Sequence, residues 1–484
     1  MRKQNEIPRY YQAHPLMIFT FIKPYIFILF IPLLQGIINY LNTKKLTALI
    51  IGEIIAAAVI FMLAVIRYRR CRIYLTQSSV CIKYGIILMH EFTIPVNKIS
   101  TTLIKTGPIL ALCRAVEIRL NTEAGTKSKA DCRIIIPTSV SPDFNEILPT
   151  DLGNTFHFKT PAPRLLIMTA ATSNAAVGLL VAAPIVWNGG RLISEGIRNR
   201  LLDTLSDAVE VAGSLAGNLI PPLATMLTIA VLFGFIFSFV QSLFKNIPFE
   251  MHRKGERITV TAGTVMRRRS TFHVRGINNI TIMQNPIMML LKRYNVKVSV
   301  AGYGDARGET ATVIPAARSS ELYDFATALL PHFRRSAPTI KHAQSTLLNF
   351  LTMPTIFMCL LPVMAAILTK IFPYFSDLFW FLALVGELLD IFLFIISVRK
   401  HQRGGITIGD DFCAFGSRFF NIAEFHCEKE KIGCIRITRY PWDKLTGLCH
   451  VKLSAREVSG EHQTVNFLDA RQVNNAVNSF YNLY

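Results

Sequence analysis

The chain has 484 residues, 51% of them hydrophobic, a mean hydropathy of +0.37 and a formal net charge of +21. Such apolarity argues against a wholly water-soluble protein and places much of the chain in lipid. The nine cysteines, odd in number and without a Cys-x-x-Cys pair, argue against a disulfide framework.

Arg2, Lys3 and Arg9 precede a first apolar run at 16–41, which is too long for a secretion signal and has no small-residue cleavage site after it. It reads as the first half of an uncleaved membrane hairpin, turning at 42–45 into a second span at 46–66. Arg67, Arg69, Arg70 and Arg72 stop that span and open a polar module at 67–155. Alternating β-branched residues there predict strands at 73–75, 80–83, 86–88, 92–94, 116–120 and 132–136, with a polar hairpin tip at 121–129. A closing helix is predicted at 141–152.

The pattern then starts again. A second hairpin at 160–245 has spans at 165–187 and 219–244, joined by a loop at 190–217. In that loop Ile193, Ile197, Leu201, Leu205 and Val209 fall at helical spacing between Arg198, Asp203 and Asp207, predicting an amphipathic helix on the outer membrane surface. A second module at 246–335 has a glycine-rich tip at 302–310, read as a hairpin because no helix pattern follows it, and a closing helix at 316–330. The third hairpin at 345–398, with spans at 347–372 and 378–398, leads to a third module at 399–484, closed by a helix at 470–483. Each of the six spans exceeds the roughly 20 residues that cross a hydrocarbon core of about 30 Å. Lys245, Arg253 and Lys254 leave the fourth span, and Arg399, Lys400 and Arg403 the sixth. The basic bias therefore puts modules and termini in the cytoplasm.

The modules share a template of fixed offsets. Its marks are Gly85, Ile99, Thr102, Ile104, Pro108, Ile118 and Leu120 in the first copy, and Gly263, Ile277, Ile280, Ile282, Pro286, Val296 and Val298 in the second. The third has Gly416, Ile432, Ile435, Ile437, Pro441, Val451 and Leu453, with the stretch from Gly to the first Ile two residues longer. The expected fold is thus a six-span membrane α-helical bundle plus α+β modules, each a small rolled β-sheet closed by a C-terminal helix.

The strand meander, the run Ile-Asn-Asn-Ile-Thr-Ile-Met-Gln-Asn-Pro at 277–286, the closing helix and the preceding membrane pair together resemble the bacterial pleckstrin-homology-like (PH) family, in membrane proteins of the YdbS/YdbT type. The resemblance covers essentially the whole chain as three units, most clearly the second. It implies a multi-pass protein of the bacterial inner membrane whose PH-like modules bind proteins or lipid head groups, with no reaction and no cofactor attached.

Arg267, Arg268 and Arg269 follow Gly263 near the place where PH domains gather head-group phosphates, and forked guanidinium donors suit an anionic lipid. The aligned residues Met89, His90 and Glu91 lack the charge, so the run is not part of the template, and a solvated strand edge beside an anionic leaflet is the alternative. Four ionisable residues fall inside spans: Lys23, Glu53, Glu387 and Asp390. Glu387 and Asp390, three apart, share a helix face, which must point into the bundle because a lipid-facing charge costs roughly 2.5 kcal/mol or more. Proton relay, lipid contact and plain interhelical hydrogen bonding all remain open for them. His426, Cys427, Cys434, Cys449 and His450 fit no zinc spacing and have no counterparts in the other copies, so no metal site is assigned. No recognition helix or stacking platform supports nucleic acid as a partner; leaflet attraction and stop-transfer signals account for most of the charge. No catalytic motif is present. The reading is a non-catalytic scaffold for a membrane-protein partner, of which a sister protein of the same family is one form, in envelope maintenance or stress tolerance. The alternative is binding or handling of anionic membrane lipid.

Overall fold

The computed structural model describes residues 9–23, 25, 47–76, 78–86, 88–122, 132–145, 155–173, 207, 222–300, 303, 310–329, 338–409, 412–416, 422–455 and 462–481. The amphipathic loop at 190–217, apart from the exposed Asp207, lies outside these residues, as do the tip at 121–129 from 123 onward and most of the first span.

One order of elements recurs: three strands, a one-turn 3-10 helix, a fourth strand, a one-turn α-helix, two more strands and a closing helix. In the first series the strands are Arg72–Leu75, Ser79–Gly85, Met89–Pro95, Ile99–Thr106, Ala115–Thr122 and Cys132–Pro137. In the second they are Phe249–Lys254, Arg257–Ala262, Arg267–His273, Ile277–Gln284, Arg293–Val300 and Ala311–Arg318. The third has Gly405–Ile408, Phe412–Gly416, Ile422–Glu428, Ile432–Thr438, Leu448–Ala455 and His462–Asp469. Pro108, Pro286 and Pro441 each open the one-turn helix after the fourth strand. A fixed φ and an absent N–H suit proline to that first helical position, and the residue before it is extended in all three. Six residues beyond each proline the backbone turns left-handed, at Arg114, Lys292 and Gly447.

The chain divides into two compact units, and their boundary does not follow the series. The first unit comprises Met1–Phe158, Glu250–Gly276 and Val300–Glu309. Its four-stranded sheet runs from Arg9–Gln12 through the first three strands of series one, and its seven-stranded sheet joins strands of both series. There Arg267–His273 pairs antiparallel with Ile99–Thr106, in the register Arg267↔Thr106, Arg269↔Ile104 and Thr271↔Thr102. Side chains from both sheets of series one, among them Ile73, Ile82, Ile94, Ile118, Leu120 and Ile134, form one core with Met17, Phe21 and Phe144.

The second unit comprises Lys159–Phe249, Ile277–Ser299 and Thr310–Tyr484. Its seven-stranded sheet repeats the junction: Ile277–Gln284 pairs antiparallel with Ile422–Glu428, in the register Ile280↔His426, Ile282↔Glu424 and Gln284↔Ile422. Subtracting the offset between series shows that His426 and Ile280 occupy the places of Thr271 and Thr102. The two seams share one register. A core of Phe425, Cys449, Val451, Leu453, Val465, Val473 and Phe480 holds the third series together. The helices Pro222–Asn246, Leu347–Ile371 and Ser376–Arg403 pack in this unit, the last touching both of the others. Gly386 admits Leu361 so closely that a Cβ would lie 2.8 Å from its Cδ1.

Three helical stretches among the described residues, Thr228–Asn246, Leu347–Ile371 and Pro373–Arg403, are long and apolar enough to cross a membrane. The second predicted span forms as the 23-residue helix Thr47–Arg69. The third departs from expectation: helix Ala162–Thr172 ends after 11 residues and Ser173 is extended, so 165–187 is not one continuous helix. Thr169, Thr172 and Ser173 hydroxyls donate back to carbonyls one turn earlier, competing with helix continuation. Leu165 and Met168 are buried, and the helix packs on Pro222–Asn246 and on strand Ala311–Arg318.

Two strand assignments also change. Of the expected strand at 86–88, residue 87 lies outside the described residues, and Ile86 and Leu88 are bends between Ser79–Gly85 and Met89–Pro95; Gly85 has φ +153, and a Cβ there would meet the Leu88 carbonyl oxygen at 2.0 Å. The closing helix expected from 316 begins at Ser319, because Ala316–Arg318 finish the preceding strand and Ala316 has φ +45. In addition, short strands Arg9–Gln12, Thr155–Lys159 and Ile340–Lys341 pair with the first strands of the three series. Each precedes in sequence the apolar helix or helices that lead into its series and pairs with the strand that follows them.

Candidate partner-facing and lipid-facing surfaces

Strand alternation splits the arginine run. Arg267 and Arg269 are exposed and share one face, whereas Arg268 points to the other, its guanidinium 5.1 Å from the Tyr303 ring centroid. Arg268 stands opposite Lys105 in the seam. The strand lies inside the seven-stranded sheet, so the alternative reading of the run as a sheet edge is corrected: Ile99–Thr106 covers that edge.

On the face of Arg268 the fifth and sixth strands of series one carry a charged cluster. Glu117, almost fully buried, receives Arg119 Nε and Arg133 Nε, the latter at 2.9 Å. At one end of the seam, Asn97, Ser100, Glu256, His273 and Arg275 line a polar cleft of about 380 Å³, a size that accepts small molecules. Glu256 and Arg275 form an ion pair there at 3.1 Å.

The one-turn helices present a further pattern. The residues one and four places beyond each proline are large, apolar and exposed: Ile109 and Leu112, Ile287 and Leu290, Trp442 and Leu445. Leu112, Leu290 and Leu445 keep 87%, 81% and 90% of their surface in contact with solvent, which no packing demand in the described structure explains. The pairs sit at fixed template offsets from each proline, a signal the sequence carries.

Asp390 is buried and Glu387 half-buried on helix Ser376–Arg403, and neither Asp390 Oδ1 nor Glu387 Oε1 has a hydrogen-bond partner among the described residues. The side chain of Glu53 lies outside the described residues. Cys427 and Cys449 are core residues, Cys434 is exposed, and His450 Nε2 lies 3.0 Å from Asp443 Oδ2, the carboxylate that also caps helix Pro441–Thr446. The five residues weighed for zinc are thus dispersed over core, surface and cap.

Two sheets sharing one core, a closing helix and an apolar helix leading in define a small α+β module joined to membrane-compatible helices. The family profile described as Bacterial PH domain matches residues 22–144 and 206–330, together just over half of the chain, and the chain belongs to that family. Both matches take in the helix that leads into a series as well as the series itself. No curated protein and no solved structure matches the chain. The family is generally non-catalytic, and its domains bind lipids or proteins.

Proposed function

We propose that the chain is a non-catalytic scaffold of the bacterial inner membrane, of the YdbS/YdbT type. Three membrane hairpins each carry a PH-like module at the cytoplasmic leaflet, and the modules hold a partner protein in envelope maintenance or stress tolerance. One observation carries this reading: twice within one chain, a module strand edge is engaged by the strand edge of another module, in one register. Main-chain pairing along an open edge is a general mode of protein recognition. Tethering at a membrane raises the effective concentration of such sites, so weak edges suffice. Crosslinking in intact membranes followed by purification tests the idea: a stoichiometric protein partner is expected, and its repeated absence would overturn it.

A second reading, handling of anionic lipid, is favoured by the exposed apolar pairs on the one-turn helices beside Arg114 and Lys292, and by the outward-facing Arg267 and Arg269. Apolar side chains next to cations suit the interface of an anionic leaflet. Mass spectrometry of co-purified lipid decides between them. Selective enrichment over the bulk membrane supports handling, and a bulk-like profile supports the scaffold.

A further inference from the structure

The seams use two strands of each series, the third and the fourth. Series one gives its fourth strand to the third strand of series two, and series two gives its fourth strand to the third strand of series three. This leaves two strands of the same kinds at sheet edges among the described residues. Met89–Pro95, the third strand of series one, ends the four-stranded sheet, and Ile432–Thr438, the fourth strand of series three, ends the three-stranded sheet. We infer that these two edges pair with each other between two copies of this chain, in the register of the internal seams. This deepens the scaffold reading, on which it rests for its membrane setting, by naming the partner.

Four observations support it. First, the two edges are the complementary halves of one junction, so no new kind of contact is needed. Second, engagement leaves a mark on exposure: the seam strands Ile99–Thr106 and Ile277–Gln284 are buried along nearly their whole length, whereas no residue of Ile432–Thr438 is buried and only Ile94 is buried in Met89–Pro95. Met89 and Phe92 are exposed at 59% and 40%. Long open edges with apolar residues are ordinarily blunted or covered, because they recruit other strands. Third, the irregularity between Ile432 and Cys434 does not disqualify its strand, since Ile99–Thr106 carries the same irregularity between Ile99 and Thr101 and is nonetheless engaged. Fourth, the transferred register is chemically compatible. Carrying Thr271↔Thr102 onto the free strands sets Thr93 opposite Ile435, Phe92 opposite Arg436, Glu91 opposite Ile437, His90 opposite Thr438 and Met89 opposite Arg439. Arg436 then lies beside the Phe92 ring, and Glu91 is the diagonal same-face neighbour of Arg439.

The contact joins unlike surfaces, so it builds either dimers closed by two reciprocal seams or longer series. Copies in one membrane share an orientation, which lets such edges meet. Disulfide crosslinking of the full-length chain in membranes tests the register. The background carries Cys113→Ser, Cys359→Ser and Cys434→Ser. His90→Cys with Thr438→Cys is expected to give reducible dimers and higher species on oxidation, and each single variant to give none. His90→Cys with Ile437→Cys, whose side chains lie on opposite faces, is expected to give none either. Two differently tagged wild-type chains, which need no substitution, are expected to co-purify in mild detergent. The inference is overturned if matched and shifted pairs crosslink alike, or if tagged copies stay apart and only monomers form. A crosslink from these positions to a protein of different sequence also overturns it, while leaving the scaffold reading standing. Absence of any crosslinked protein removes both.

Discussion

Thr271 faces Thr102 across a seam between two copies of the sequence template, 169 residues apart in the chain. His426 faces Ile280 at the same position of the second seam. Neither strand pair belongs to a single copy, so the stability of the edge of one series depends on a residue in the next.

That dependence is testable at Phe272, fully buried in the seam strand with the Tyr303 ring edge-on at 6.2 Å. Phe272→Ala should destabilise the first unit by about 3–5 kcal/mol, the range for deleting a buried aromatic ring. Limited proteolysis should show faster cleavage within residues 67–145 as well as in the altered strand. Leu112→Ser, at an exposed site, should shift stability by no more than about 0.5 kcal/mol.

His342 provides a pH signature. It is buried beside Phe350 and His401, with Nδ1 3.5 Å from the Phe467 carbonyl oxygen, and burial lowers its pKa from 6.5 to about 4. The unfolded chain takes up the proton first as pH falls, so this contribution is intact above about 6.5 and is lost as pH drops towards 4, by on the order of 3 kcal/mol. Unfolding measured across that window should flatten for His342→Phe relative to the wild type.

The arginine run separates two roles. If anionic lipid is held there, Arg267→Ala with Arg269→Ala should abolish enrichment of anionic lipid in the purified protein. Arg268→Ala should leave the lipid profile unchanged while weakening the contact with Tyr303, which is about 0.5–2 kcal/mol for a cation over an aromatic ring. Equal lipid profiles for all three proteins would remove the run from the lipid reading.

Thiol labelling reports on the cores. Burial pushes Cys71 and Cys449 up to about 11, so at pH 8 almost none is thiolate. Both should resist maleimide in the folded protein and react after denaturation, whereas the exposed Cys113 should react at once. Labelling of Cys449 in the native state would show that the third core is open.

The template offsets were legible because they record local geometry: a proline that can begin a helix, then a left-handed residue, then a strand. The partners of the third and fourth strands were not, because pairing across 169 residues leaves no mark in a local window. Ile340–Lys341 is too short to show an alternating pattern; Thr155–Lys159 does alternate, with Phe156 and Phe158 between polar residues, but its partner strand Phe249–Lys254 lies about 90 residues on, and the apolar run from 165 hid the hydroxyls that end its helix at Thr172. In the sequence the run Arg267, Arg268, Arg269 looks like one patch, but the period of two of a strand assigns the middle residue to the opposite face.

The phase difference between the copied segment and the folded unit bears on how such a chain lengthens. Inserting one more copy by gene duplication would add one further seam and leave Met89–Pro95 and Ile432–Thr438 as the outermost strands, unchanged in kind. Chains with two, three or four copies would therefore offer neighbours the same pair of ends, and could be exchanged for one another in evolution without redesign of whatever meets them.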